Sequence, residues 1–150
     1  MKIIVDANIV FSGILNSNGK IGDLLLNSRD FFSFIAPNFL RTEIYNHHEK
    51  LVKISNLTLE KIIESEYQIC KSITFISEEQ INAESWQFAN ELTRDIDPKD
   101  IIYIAYAKQF NCKLWTGDKK LISGLNKKEY HHVFTTDDLF VFKNNQLRYN

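Results

Sequence analysis

The chain has little of what interrupts or staples a fold. Five glycines and two prolines in 150 residues leave almost no linker material, so one domain spanning residues 1–150 is expected. The two cysteines, Cys70 and Cys112, are far apart and neither has a CxxC partner. They are read as reduced thiols in or near the core, not as a disulfide framework. A chain of this length buries roughly 70% of its extended surface and needs no such staple. Long apolar runs are also missing. The first, Ile3-Ile4-Val5, stops at Asp6. That is too short for a signal-peptide core or a membrane span, and a cytoplasmic protein with no membrane partner is expected. Charge of one sign is not in excess either: 18 Lys+Arg against 19 Asp+Glu give a net −1. This excludes a binder held to nucleic acid by bulk positive charge, so any such contact needs a local basic patch. No GxGxxG follows the first apolar run, which argues against a dinucleotide-binding module.

What is present is ordinary globular composition, 44% hydrophobic and 25% charged, arranged as short β-branched runs between helical patterns. Strands are expected at 2–5, 32–36, 73–76, 113–116 and 132–135, with Pro37 stopping the second. Helices are expected at 20–28, 37–52 and 58–72, the last capped by Thr58. A further helix at 77–93 would start from a capping box of Ser77 and Gln80. Others are expected from Asp97 or Pro98 to about Phe110, at 118–125, and as a terminal turn or helix at 137–141. The alternation predicts a three-layer α/β/α domain with a mainly parallel twisted sheet of about five strands. In such a sheet, ligands sit beyond the carboxyl ends of the strands, where the strand order reverses.

Acidic residues stand at these boundaries. Asp6 follows the first strand directly, and Asp118 ends Leu114-Trp115-Thr116-Gly117-Asp118 after the fourth. Asp97 and Asp100 open a helix in Asp97-Pro98-Lys99-Asp100, and Glu43 lies in the helix after strand two. Taken singly each has a plain structural role: a turn residue, a helix cap, a solvated face. Their joint placement predicts one cleft. Two carboxylates 4 Å apart repel by about 4 kcal/mol at an effective dielectric near 20. Such a cluster is retained where a hard cation occupies it, and oxygen-only donors favour Mg²⁺ or Mn²⁺ over zinc. An ion of this kind activates water, neutralises a phosphate oxygen and inverts the charge of the cleft for a polyanion.

With these segments in view, nearly the whole chain resembles the PIN-domain nucleases, which include the toxins of bacterial VapBC toxin–antitoxin pairs. The resemblance rests on Ile3-Ile4-Val5-Asp6-Ala7-Asn8-Ile9-Val10 and on Glu43 after Leu40-Arg41-Thr42. It is carried most specifically by Asp97-Pro98-Lys99-Asp100 and by Leu114-Trp115-Thr116-Gly117-Asp118-Lys119-Lys120-Leu121. It implies divalent-metal-dependent hydrolysis of RNA phosphodiester bonds, with Asp6, Glu43, Asp100 and Asp118 as the catalytic acids. Asp6, Asp97, Asp100 and Asp118 are implied as metal ligands. Asn8, Thr116 and, less closely matched, Ser12 would orient the acids or the ion's waters. A homodimer is implied too, and in the toxin branch an antitoxin partner.

Lys119, Lys120, Lys127 and Lys128 cluster after Asp118. A charge run is usually a solvated face, but this one is expected to border the cleft and offers RNA contacts. His47 and His48 read as a solvated helix face rather than extra ligands. Tyr103 and Trp115 read as core rather than base-stacking residues. Exposed aromatics on the early helices would suit a dimer. Two other enzyme or signalling classes fit poorly. A haloacid-dehalogenase-type phosphatase needs an acid where Asn8 stands and another where Ile122 stands. A phosphorylated receiver needs an Asp after strand three, and Ile73-Thr74-Phe75-Ile76-Ser77 offers none. A non-catalytic metal- or RNA-binding PIN-like domain remains the alternative, because a complete acidic set does not by itself prove turnover.

Overall fold

Alternate strand residues are buried on opposite sides, and this sets the layers. The computed structural model describes residues 1–149; Asn150, the last residue of the expected domain, lies outside the described residues. The strands are β1 (Lys2–Val5), β2 (Ser33–Pro37), β3 (Ile73–Ile76), β4 (Lys113–Trp115) and β5 (Val133–Phe134). Ile3, Val5, Phe34, Ala36 and Trp115 face one layer, and Ile4, Ile35 and Leu114 face the other. Both faces being apolar, helices must cover both.

The helices are α1 (Ala7–Leu15), α2 (Lys20–Asn27), α3 (Phe39–Asn46), α4 (His48–Ser55), α5 (Leu59–Cys70), α6 (Ala83–Thr93), α7 (Ile101–Gln109), α8 (Lys119–Lys127) and α9 (Thr136–Tyr149). Ile9, Val10 and Ile14 of α1 pack on the first face with Leu24 and Leu25 of α2, Ile62 and Ile69 of α5, and Leu139 of α9. On the second lie Ala89 of α6, Ile104 to Ala107 of α7, and Leu121 and Leu125 of α8. Each such side chain, fully buried, is worth about 1.5–3 kcal/mol before the entropy of ordering it. Among the described residues no helix is long and apolar enough to cross a membrane.

All five strands are parallel, in the order β3-β2-β1-β4-β5. The chain builds outward from β1 through β2 to β3, then returns to start β4 on the other side of β1. The order therefore reverses between β1 and β4, and the expected three-layer α/β/α fold is present with its switch point there.

Several expected boundaries move. Pro37 does not stop the second strand but ends it, opposite Ile76 of β3. The Asn38 N–H donates to the Ile76 carbonyl at 3.0 Å. The Pro37 nitrogen accordingly faces the β1 side, where β1 has already ended and no ladder bond is lost. The helix expected over 37–52 is two helices, broken at His47. There the His47 ring Nδ1 lies 2.6 Å from the Glu43 carbonyl, and its imidazole packs 5.4 Å from the Phe11 ring. Ser77 caps only a 3-10 turn, Glu78–Gln80, through the Glu79 N–H; Asn82 caps α6 by accepting from the Ser85 N–H at 2.8 Å. The terminal helix is longer than expected. It starts from a reciprocal cap in which the Thr135 N–H donates to Asp138 Oδ2 and the Asp138 N–H to Thr135 Oγ1. Thr58 caps α5 as expected, accepting from the Lys61 N–H at 3.2 Å.

Candidate active site

The register of β1 against β4 pairs Val5 with Trp115, so the next residues, Asp6 and Thr116, emerge together at the switch point. Asp6 is 4% exposed and caps α1, its Oδ1 accepting from the Ile9 N–H at 2.9 Å. Asp118 caps α8 likewise, its Oδ1 accepting from the Leu121 N–H at 3.1 Å. Thr116, fully buried, joins the two acids. Its hydroxyl accepts from the Asp118 N–H at 3.1 Å and hydrogen-bonds the Asp6 carboxylate. The capping and cleft roles are thus held by the same residues, since each cap uses one carboxylate oxygen.

Asp100 reaches the same place from the second layer. Helix α7 packs against β1, β2 and β4, and Asp100 stands at its N-terminus without making a side-chain cap. Its Oδ2 is buried and has no hydrogen-bond partner. Asp97 closes the preceding turn, its Oδ1 accepting from the Lys99 N–H at 3.0 Å. Glu43 arrives from α3, beyond β2. Together Asp6, Asn8, Glu43, Asp97, Asp100 and Asp118 line one cavity of about 540 Å³.

The acids raise one another's proton affinity. Burial lifts Asp6 above the usual carboxylate range, and the charge of Asp118 adds to it; bonds from Thr116 and from backbone amides of Ile9 and Asn8 oppose the rise. Burial, then the charges of Asp97, Asp118 and Asp6, push Asp100 up to about 7. The Tyr103 phenol is raised as well, by burial and by Asp6, Asp100 and Glu43, with an opposing backbone bond from Ala7, and stays protonated.

A buried carboxylate oxygen with no donor is costly unless something outside the chain satisfies it. Among five carboxylates a proton or a cation would satisfy it, and for a cation the all-oxygen donor set suits Mg²⁺ or Mn²⁺. Asp6, Asp97, Asp100 and Asp118 are the residues that could hold it. Among the described residues, no three His, Cys, Asp or Glu side chains are already gathered around a single point. The acids line the cavity rather than close on it.

Other expected site residues stand elsewhere. Ser12 is exposed on α1, outside the cavity lining. Lys119 and Lys127 line a separate, open concavity of about 480 Å³ with Ile122, Ser123 and Asn126, on the flank of α8. Lys120, Lys127 and Lys128 line another beside Asp95 and Ile96. Lys128 is committed to Asp95 and to the Leu92 carbonyl. His48 is not on a solvated face: it pairs with Glu66. Conversely, Lys99, Phe39 and Tyr103 line the acidic cavity. Phe39 opens α3, and its N–H donates to Glu78 Oε1 at 2.7 Å. Lys99 lies between two cleft acids, and Tyr103 is one turn after Asp100; those spacings are the only signal of either in the sequence.

An acid-lined cleft at the switch point of a parallel sheet defines the class as a three-layer α/β protein with its candidate site at the carboxyl ends of the strands. A family model described as PIN domain matches residues 4–137, and the chain belongs to the PIN-domain family, the nuclease family its motifs resemble. An uncharacterised protein of Methanocaldococcus jannaschii is 28% identical over 133 residues, covering 87% of this chain and 79% of that one. Among solved structures, a chain of VapBC2 from Rickettsia felis, crystallised bound to a DNA fragment from its promoter, superimposes with a TM-score of 0.65. It shares 13% identity and covers 90% of this chain and 98% of its own. A protein of Pyrobaculum aerophilum gives a TM-score of 0.68 at 13% identity, covering 97% and 90%. At such identities these two structures establish the shared fold.

Proposed function

We propose that the protein is a Mg²⁺- or Mn²⁺-dependent endoribonuclease, acting as one PIN-like unit over residues 1–150. The observation that carries this reading is the buried, partnerless Oδ2 of Asp100 in a cavity shared with four other carboxylates. When bound, the ion supplies charge neutralisation at a phosphate and lowers the proton affinity of a water. The chain's own residues do the rest. Asp6, Asp97, Asp100 and Asp118 would hold the ion, and Glu43, 42% exposed at the cavity wall with its Oε2 3.7 Å from His47 Nδ1, would take a proton from the attacking water. Thr116 keeps Asp6 and Asp118 oriented, Asn8 adds an amide at the wall, and Ser12 stands one turn beyond it on α1. The Tyr103 phenol remains a hydrogen-bond donor throughout. Lys119, Lys120 and Lys127 extend the nucleic-acid path along α8; Lys128 joins them only by leaving Asp95.

The likeness to VapBC2 supports a toxin of a type II toxin–antitoxin pair, with an antitoxin partner and action in the cytoplasm on RNA. A homodimer fits the exposure of Tyr45, Ile54, Ile63 and Tyr67 on α3, α4 and α5. The deciding experiment incubates labelled RNA with the protein and Mn²⁺, comparing wild type with Asp118→Asn. Cleavage by wild type alone is expected. Equal cutting by both, or none by either on any RNA offered, removes the nuclease reading. If neither cuts but Mn²⁺ still raises the melting temperature, the alternative of a non-catalytic metal-binding domain takes its place.

A further inference from the structure

Among the described residues, Lys99 is the one basic residue lining the acidic cavity. Its backbone is held firmly. Pro98 fixes the first position of the turn, Asp97 Oδ1 accepts from the Lys99 N–H at 3.0 Å, and the Asp97 carbonyl accepts from the Asp100 N–H at 3.1 Å. The residue is thereby anchored between two cleft acids. Yet its ammonium belongs to none of the ion pairs found among the described residues. The lysines after Asp118 differ: they line concavities on the flank of α8, and Lys128 is already paired. Lys99 is exposed, so an ammonium outside those ion pairs, carried by a residue that lines a cavity with five carboxylates, is available to an anion.

We propose that Lys99 grips the substrate, its ammonium taking a non-bridging oxygen of a phosphodiester seated beside Asp97 and Asp100. This rests on the nucleic-acid reading of the cleft. It adds the residue that lets a polyanion enter an acidic cavity: a resident divalent ion offsets only part of the negative charge, and a fixed cation at the wall supplies a local attraction. A lysine suits the task because its four-carbon stem moves a point charge while its backbone stays fixed. Lys99 is a binding residue in this scheme and performs no proton transfer.

The test separates grip from cutting. A short, fluorescently labelled single-stranded RNA is titrated with the protein, with Ca²⁺ in place of Mn²⁺ so that binding is read without turnover. Lys99→Gln is expected to weaken binding about tenfold, the loss of one charge-assisted contact. It should also flatten the slope of log affinity against log salt by about 0.7. Lys99→Arg should restore most of both. Lys61→Gln, the same charge loss on α5, should match wild type. Binding by Lys99→Gln equal to wild type, an equal loss in Lys61→Gln, or no RNA binding by wild type each overturns the proposal. If binding depends on Lys99 but wild type with Mn²⁺ does not cleave, Lys99 stands as the grip and the nuclease reading falls.

Discussion

Replacing Asp100 by asparagine should make the metal-free protein more stable while abolishing its activity. Asp100 carries a carboxylate whose buried oxygen has no partner, and its proton affinity is lifted from the ordinary 3.8 to about 7 by burial and by Asp97, Asp118 and Asp6. An acid raised in the folded state favours folding below its unfolded value, and that advantage is lost as pH rises through the folded value. Wild type should therefore lose stability between about pH 4 and pH 8 in this group, and the neutral amide should not. At face value the shift corresponds to about 4 kcal/mol. Asp100 is only half-buried, and solvent screening reduces the figure to about 1–2 kcal/mol. For a chain of this length that is a rise of about 3–6 °C in Tm. The assay is thermal unfolding in EDTA, run from pH 4 to pH 8 on both proteins. The curves should coincide near pH 4 and separate steadily above it. A further arm adds Mn²⁺ at pH 7.5: wild type should gain about 2.7 kcal/mol at 100 times the dissociation constant, and the variant far less. An Asp100→Asn protein that melts with or below wild type at pH 8 in EDTA would refute the reasoning, because the cluster would then not be repelling itself.

Thr116→Val removes the hydroxyl that links Asp6 to Asp118 in a fully buried position; urea unfolding should show a loss of about 1–3 kcal/mol, and Mn²⁺ affinity should fall with it. Gly22→Ala should destabilise by about 1–3 kcal/mol, since a Cβ there would lie 2.3 Å from the Ser17 carbonyl oxygen; an unchanged urea midpoint would contradict the close approach. Burial pushes the thiols of Cys70 and Cys112 up to about 11, so alkylation by iodoacetamide at pH 8 should be much slower than that of a free thiol until denaturant is added, and fast labelling of either would count against that packing.

The sheet was legible because its strands are apolar on both faces. Ile3-Ile4-Val5 and Phe34-Ile35-Ala36 leave only helices on either side as a solution, and Asp6 and Asp118, just beyond β1 and β4, point to the cleft. What escaped the pattern was decided by tertiary contacts. The apolar spacing of Leu40, Ile44 and Leu51 runs straight through His47, whereas the backbone breaks there, with the His47 ring turned onto the Glu43 carbonyl and Phe11. Ser77 has a capping residue's chemistry, but Asn82 stands nearer the apolar repeat and takes the cap. Thr135 and Asp138 did carry a capping signal, and with it the longer last helix. For the candidate site, the acids are announced by their place after strands and before α7. Lys99 is hidden because a single lysine between two aspartates looks like ordinary surface charge until the cavity is seen.

The crossing back from β3 to β4 has a consequence for synthesis on the ribosome. The growing polypeptide can pair its first three strands before Trp115 exists, and that partial sheet would present Asp6 and Glu43 with neither Asp100 nor Asp118 beside them. The full set of cleft acids is not assembled until residues 97–118 have emerged and β4 has slotted in against β1. The acidic cleft is thus a later product of synthesis than the sheet that supports it.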